Sequence, residues 1–234
     1  MKQSIKNSLL TCFLAGLIST GAWAQNAQQF GGLNRYAESN AKVAKANKSQ
    51  RKAVFMGNSI TQNWASMRPD FFSKNGYVGR GISGQTSYQF LLRFREDVIN
   101  LHPRVVVINA ATNDIAENTG PYNEEYTFGN IISMVELAQA ARIKVILTTT
   151  LPAAAFGWRP AIKDAPQKIA SLNKRLQAYA KTHHIPFVDY YAAMVRKSDG
   201  ALDPSYTKDG VHPTDAGYVI MEGLVKPVVE KLLK

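Results

Sequence analysis

Three short segments of this chain carry residue types that together can hydrolyse an ester: Gly57-Asn58-Ser59, Thr112-Asn113-Asp114 and Asp209-Gly210-Val211-His212. A serine hydroxyl is a poor nucleophile until a base takes its proton, and it must stand exposed at a turn to meet substrate. Gly57, two residues before Ser59, ends an apolar run, which suits such a turn. His212 lies three residues after Asp209, so the carboxylate can hold one imidazole nitrogen and leave the other free for a serine. Asn113 follows a β-branched run, where its amide can donate to an oxyanion in a dry site; such a donor is worth about 3 kcal/mol in the transition state. Asp114 reads as a turn residue behind that donor rather than as a catalyst. Each segment taken alone has an ordinary alternative: a turn tripeptide, an Asn-Asp turn, a surface loop with an incidental histidine.

A fourth segment, Gly79-Arg80-Gly81-Ile82-Ser83-Gly84, matches the Gly-x-Gly-x-x-Gly pattern of dinucleotide sites. It follows the second strand rather than the first, and no strand ending in an acid lies about 20 residues on, which argues against a nicotinamide-dependent dehydrogenase. At a helix N-terminus, Gly84 instead offers its backbone N–H to an anion, here a tetrahedral oxyanion. Residue 61 is Thr, so the Gly-x-Ser-x-Gly elbow of the usual α/β-hydrolases is absent. His102 adjoins Pro103, and His183 and His184 end a helix; neighbours point to opposite sides and no ligand motif surrounds them, so no metal is expected.

The elements that must position these residues alternate along the chain. Strands are expected at Ala53–Met56, Tyr77–Ile82, Val105–Asn109, Lys144–Thr150 and Pro186–Tyr190. Helices are expected at Asn34–Asn47, Thr86–Leu101, Thr127–Arg142 and Ala165–His183, with a last one capped by Thr214 and running to about Leu233. Five strands alternating with helices give an α/β three-layer sandwich around a parallel, doubly wound sheet. Ser59 and Asn113 then follow strand ends, where open parallel sheets put their chemistry.

The first 24 residues read as an export leader: Lys2 and Lys6, a short apolar stretch from Leu9 to Ile18, and the small-x-small site Ala22-Trp23-Ala24. That stretch is short for a membrane span. Cys12 stands near its start rather than its end, against a lipoprotein, and it is the one cysteine. The expected organisation is a leader over 1–24, an N-terminal segment with a packed helix over 25–50, and a catalytic domain over 51–234. The formal charge is +11, and loss of the two leader lysines would bring it to +9. A basic surface of this kind attracts acidic glycans, anionic lipid headgroups or nucleic acid. The basic cluster Lys42 to Lys52 reads as a solvated helix face without interleaved aromatics, so no nucleic-acid partner is expected.

Taken together, these residues resemble the SGNH hydrolases, also called GDSL-type lipases and esterases. Gly57-Asn58-Ser59-Ile60 stands where that family has Gly-Asp-Ser-Leu; Ile82-Ser83-Gly84-Gln85-Thr86-Ser87 matches its second block, Thr112-Asn113-Asp114 its third and Asp209-x-x-His212 its last. The resemblance runs from about Val54 to Leu232. The run after Ser59, with Ile60, Thr61 and Trp64, is similar to a branch found in Bacteroidetes. It implies the flavodoxin-like SGNH hydrolase fold, a triad of Ser59, His212 and Asp209, and an oxyanion hole of the Ser59 and Gly84 N–H groups with the Asn113 amide. It implies no cofactor, no metal, and a small-molecule or oligosaccharide ester as substrate. Asn58 replaces the family's aspartate. Ala111 replaces a glycine of the third block, and its methyl group is expected either to crowd the oxyanion pocket or to alter acyl preference.

Export, a single small domain and the branch favour an O-acetylesterase acting on carbohydrate, with a lysophospholipase, short-chain lipase or thioesterase as the alternative. A remote alternative is a non-catalytic binding module on the same fold. Trp64, Tyr122 and Tyr126 are candidates for stacking on a sugar, and Ala153, Ala154, Ala155, Phe156 and Trp158 for lining an acyl groove.

Overall fold

The structure, a computed structural model, describes residues 28–234. The leader expected over 1–24 lies outside the described residues. Five strands form one parallel sheet: β1 (Ala53–Gly57), β2 (Tyr77–Gly81), β3 (Val105–Ile108), β4 (Lys144–Thr148) and β5 (Phe187–Val188), in the order β2-β1-β3-β4-β5. The five expected strands are all present and in the expected places. β6 (Val195–Arg196) and β7 (Ala201–Leu202) add a small antiparallel hairpin.

The strands read as apolar runs because both of their faces are covered. Successive residues point to opposite sides. Val54, Met56, Val106, Ile108, Val145 and Leu147 join one core, and Ala53, Phe55, Val105, Val107 and Ile146 join the other. The first core is closed by helices Ser87–Asp97, Glu124–Ala140 and Ala165–Thr182 through residues such as Phe90, Phe94, Ile131, Met134, Leu172 and Leu176. The second is closed by helices Ser59–Met67, Pro69–Asn75 and Asp215–Leu233 through Trp64, Phe71, Phe72, Tyr218, Met221 and Val225.

The chain leaves β1 toward one edge to form β2, then crosses back over β1 to form β3 and moves on outward through β4 and β5. The strand order therefore reverses between β1 and β3. Ser59 follows β1 and Asn113 follows β3, so both stand at the switch point where open α/β sheets bind ligands.

The short helices Ser59–Met67, Pro69–Asn75, Thr112–Ile115 and Tyr190–Met194 were not among the expected elements; turns were expected at the first and third, and Tyr190 as the end of a strand. The first begins on Ser59 itself. Asn58 caps it, its side-chain oxygen accepting the Ile60 N–H at 2.9 Å. Gly57 is needed there for space rather than for turn geometry: a Cβ at residue 57 would collide with the Thr61 side chain packed against the strand end. The last helix begins after Thr214 as expected, although the Thr214 side chain makes no capping bond.

Candidate active site

Ser59 opens helix Ser59–Met67 at the end of β1, and His212 enters from the loop before helix Asp215–Leu233. The His212 Nε2 lies 2.9 Å from the Ser59 Oγ. On the other side of the ring, Nδ1 lies 2.6 Å from the Asp209 Oδ2. The Asp209 Oδ1 accepts the backbone N–H groups of Val211 at 2.9 Å and His212 at 2.8 Å. Partial burial alone would raise the Asp209 pKa. The two N–H groups and the imidazole outweigh it and hold this carboxyl down to about 2. The carboxylate is thus ionised, oriented, and aimed at Nδ1. Thr207 completes the loop: its hydroxyl donates to the His212 carbonyl at 2.8 Å and accepts the Gly210 N–H at 3.0 Å.

The distance from Ser59 to His212 is set by the helix that Ser59 begins and the helix that His212 precedes. The Tyr218 hydroxyl donates to the Ile60 carbonyl at 2.9 Å, the Trp64 indole to Glu222 at 3.1 Å, and Arg68 forks onto Glu222 and Asp215. Trp64 is thus a buried core residue, stacked on Phe71 and Tyr218, and not a platform for sugar.

The loop from Ile82 to Ser87 is held peptide by peptide. Ser83 N–H donates to the Gln62 Oε1, Gln85 N–H to the Ile82 carbonyl, Thr86 N–H to the Gln89 Oε1, and Ser87 N–H to the Asp114 carboxylate. The Gly84 and Gln85 carbonyls accept from the Asn118 and Asn113 side chains at 3.0 and 2.9 Å. Among the described residues, only the Gly84 N–H of this run has no acceptor. Gly84 holds φ of 78°, a left-handed geometry that glycine adopts without strain. The Ser59 N–H, first in its helix, likewise has no acceptor among the described residues. The Asn113 amide spends one N–H on Gln85 and keeps one.

These free donors meet in one cavity of about 220 Å³, lined by Ser59, Ser83, Gly84, Asn113, Asn118, Trp158 and His212. All of the residues expected to act, Asp209 apart, line it, and Asp209 lies directly behind His212. Sequence reasoning missed Asn118, Gln62 and Thr207, polar loop or helix residues with no local pattern to mark them. Trp158, a candidate for lining an acyl groove, lines this cavity. Its ring is 44 % exposed and tilts over His212, with centroids 6.3 Å apart, and its indole N–H donates to Asn118 at 2.9 Å. Ala153 and Phe156 are buried in the core, and Tyr122 and Tyr126 lie off the cavity.

Asp114 is nearly fully buried. Burial pushes its carboxyl up, against hydrogen bonds from Ser87 and Thr127. Its carboxylate accepts the N–H of Ser87, the first residue of helix Ser87–Asp97, and ties that helix to the turn that carries Asn113. Ala111 does not line the cavity. Its φ is 80°, so the family's glycine matches a backbone need there, and its methyl group is buried in the core rather than in the cavity. His183 stacks on Tyr179 and does not line the cavity, and no three potential metal ligands cluster among the described residues.

Comparison with known proteins gives the same picture. Residues 55–220 match the GDSL-like lipase/acylhydrolase family. The fold matches a candidate acylhydrolase from Bacteroides fragilis at 68 % identity and a TM-score of 0.85, over 87 % of this chain and 98 % of that one. It also matches a GDSL-like lipase from Bacteroides thetaiotaomicron at 66 % identity and a TM-score of 0.84, over 86 % and 98 %. An acetylxylan esterase from Xylanibacter ruminicola is 24 % identical over 76 % of this chain, which spans only 43 % of that relative. The chain belongs to the GDSL-like lipase/acylhydrolase family of carboxylic ester hydrolases.

Proposed function

We propose that the protein is an exported serine esterase that removes small acyl groups, acetyl above all, from carbohydrate. The carrying observation is the continuous hydrogen-bonded line Asp209–His212–Ser59 ending in a small cavity beside three unpaired N–H donors. His212 takes the proton of Ser59 as the hydroxyl attacks the ester carbonyl. The oxyanion forms against the N–H groups of Ser59 and Gly84 and the Asn113 amide. His212 then gives the proton to the leaving alcohol. Water, deprotonated by the same imidazole, attacks the acyl-enzyme and releases the acid. The donors are already aimed, so little reorganisation is needed as charge develops.

A cavity of about 220 Å³ is smaller than the roughly 300–1,000 Å³ of sites for drug-sized ligands, and it suits an acetyl group better than a long chain. The burial of Ala153 and Phe156 supports the same reading by removing two of the walls expected for an acyl groove. The exposed Trp158 ring stands on the side of His212, where the leaving alcohol departs, and offers a sugar an apolar face. The acetylxylan esterase relative supports carbohydrate as the alcohol. The basic N-terminus and small-x-small site support export.

The test is a series of p-nitrophenyl esters from acetate to palmitate, followed by acetylated xylo-oligosaccharides, with wild type and Trp158→Ala. Acetate is expected to be cleaved fastest, and Trp158→Ala to raise KM on the oligosaccharide while leaving p-nitrophenyl acetate little changed. Preference for long chains would make the lipase alternative the better reading.

A further inference from the structure

Hydrogen-bonded to residues that flank the cavity-lining segments is an arginine with no part in the proposed mechanism. Arg93, on helix Ser87–Asp97, is fully buried. Its Nε donates to the Gln85 Oε1 at 2.6 Å, its Nη1 to the Asp97 Oδ2 at 2.7 Å and the Arg80 carbonyl at 3.0 Å, and its Nη2 to the Gly57 carbonyl at 2.9 Å. Four of the five N–H groups of a rigid planar fork are thus spoken for.

The atoms it holds are at the roots of two of the oxyanion loops, and one of its partners, Gln85, reaches the third. Gly57 is two residues before Ser59, and its carbonyl also accepts the Ile82 N–H at 3.1 Å, where the nucleophile turn meets the Gly84 loop. Arg80 lies near the end of β2, which leads into that loop. Gln85 follows Gly84, and its own carbonyl receives the Asn113 amide. The Gln85 Nε2 in turn donates to the Gly31 carbonyl at 3.1 Å, so the N-terminal segment braces the same point. We propose that Arg93 is a positioning residue for the oxyanion hole, fixing the Ser59, Gly84 and Asn113 donors relative to one another through Gly57, Arg80 and Gln85. This rests on the reading of those three groups as the oxyanion donors.

Stability alone is a weak reason for such a residue. A buried Arg–carboxylate pair rarely adds net stability over apolar packing, because both ions are taken out of water. Positioning is a stronger one, because a displacement of about 1 Å at a donor costs up to about 100-fold in rate. The contribution should therefore appear in the chemical step rather than in substrate binding.

The test compares Arg93→Lys and Gln85→Leu with wild type, Ser59→Ala and Asn113→Ala. The readouts are kcat and KM on p-nitrophenyl acetate, melting temperature, and inhibition by phenylboronic acid, which forms a tetrahedral adduct on a reactive serine. Arg93→Lys keeps a cation facing Asp97 but cannot span Gly57, Arg80 and Gln85 together. Gln85→Leu leaves the Arg93–Asp97 pair in place, so a folding failure of the first variant does not remove the test. The expected result is a kcat about tenfold or more lower for Arg93→Lys at nearly constant KM, with boronic acid affinity weakened in proportion, and a smaller change of the same kind for Gln85→Leu. Folded variants with kcat and boronic acid affinity within twofold of wild type, whatever their melting temperature, would overturn the proposal. If Asn113→Ala also leaves kcat unchanged, or wild type cleaves no ester, the oxyanion reading itself fails and takes this inference with it.

Discussion

In the proposed mechanism Asn113 carries two tasks with one amide: one N–H donates to the Gln85 carbonyl and the other is left for the oxyanion. Asn113→Ala should therefore lower kcat by about 100- to 1,000-fold with little change in KM, measured by steady-state hydrolysis of p-nitrophenyl acetate. Asp209 offers a pH test. Its folded pKa of about 2 lies below the unfolded value of about 3.9, so its ionised form stabilises the fold above about pH 4, and that stabilisation is lost as pH falls through about 2. The gap in melting temperature between wild type and Asp209→Asn should be widest above pH 4 and close on acidification toward pH 2. At neutral pH the same variant should lose about 10,000-fold in kcat, because the imidazole tautomer is no longer fixed. Ala111→Gly relieves a left-handed alanine but deletes a buried methyl group, each term about 1 kcal/mol. Thermal unfolding should shift little, and acyl preference should not move at all. Ser59, Gly84, Asn113, Asp209 and His212 could be picked out as candidates from the sequence because the short segments that carry them occur together and in order, although each alone reads as an ordinary turn or loop. Arg93, Gln62, Asn118 and Thr207 could not, because each acts through a partner brought close only by the fold: Arg93 meets Gly57 across 36 positions.

At the scale of elements, the strands were legible because β-branched runs covered on both faces leave a continuous apolar signature, as in Val105 to Ile108. The helix beginning on Ser59 was not. It is only 9 residues long, too short for a clear period, and its inward face is fixed by Trp64 packing against a helix more than 150 positions away. That packing joins the element that starts with Ser59 to the element that His212 precedes. Trp64→Ala should cost about 3–5 kcal/mol in chemical unfolding. Tyr218→Phe removes one hydrogen bond to the Ile60 carbonyl and should cost about 1 kcal/mol. Arg68 bridges the same two helices near the surface, and its loss should be milder than that of Trp64.

At the scale of the molecule, the strand order and the reversal between β1 and β3 explain why segments more than 150 residues apart in the chain meet. β1 and β3 bring Ser59 and Asn113 side by side, β2 sets Gly84 beside them, and the last helix, packed on the same face as the Ser59 helix, delivers His212. The alternation of strands and helices made this architecture readable from the sequence. The size of the cavity was not readable, because it depends on how the Trp158 segment folds back over His212. The most direct measurement is covalent labelling with p-nitrophenyl diethyl phosphate, with the modified peptide located by mass spectrometry and residual esterase activity followed in parallel. One phosphoryl group on Ser59, appearing in step with loss of activity and absent from Ser59→Ala, is the predicted result. Inactivation with the label on another residue, or an undiminished esterase rate in Ser59→Ala, would contradict the assignment of Ser59 as the nucleophile.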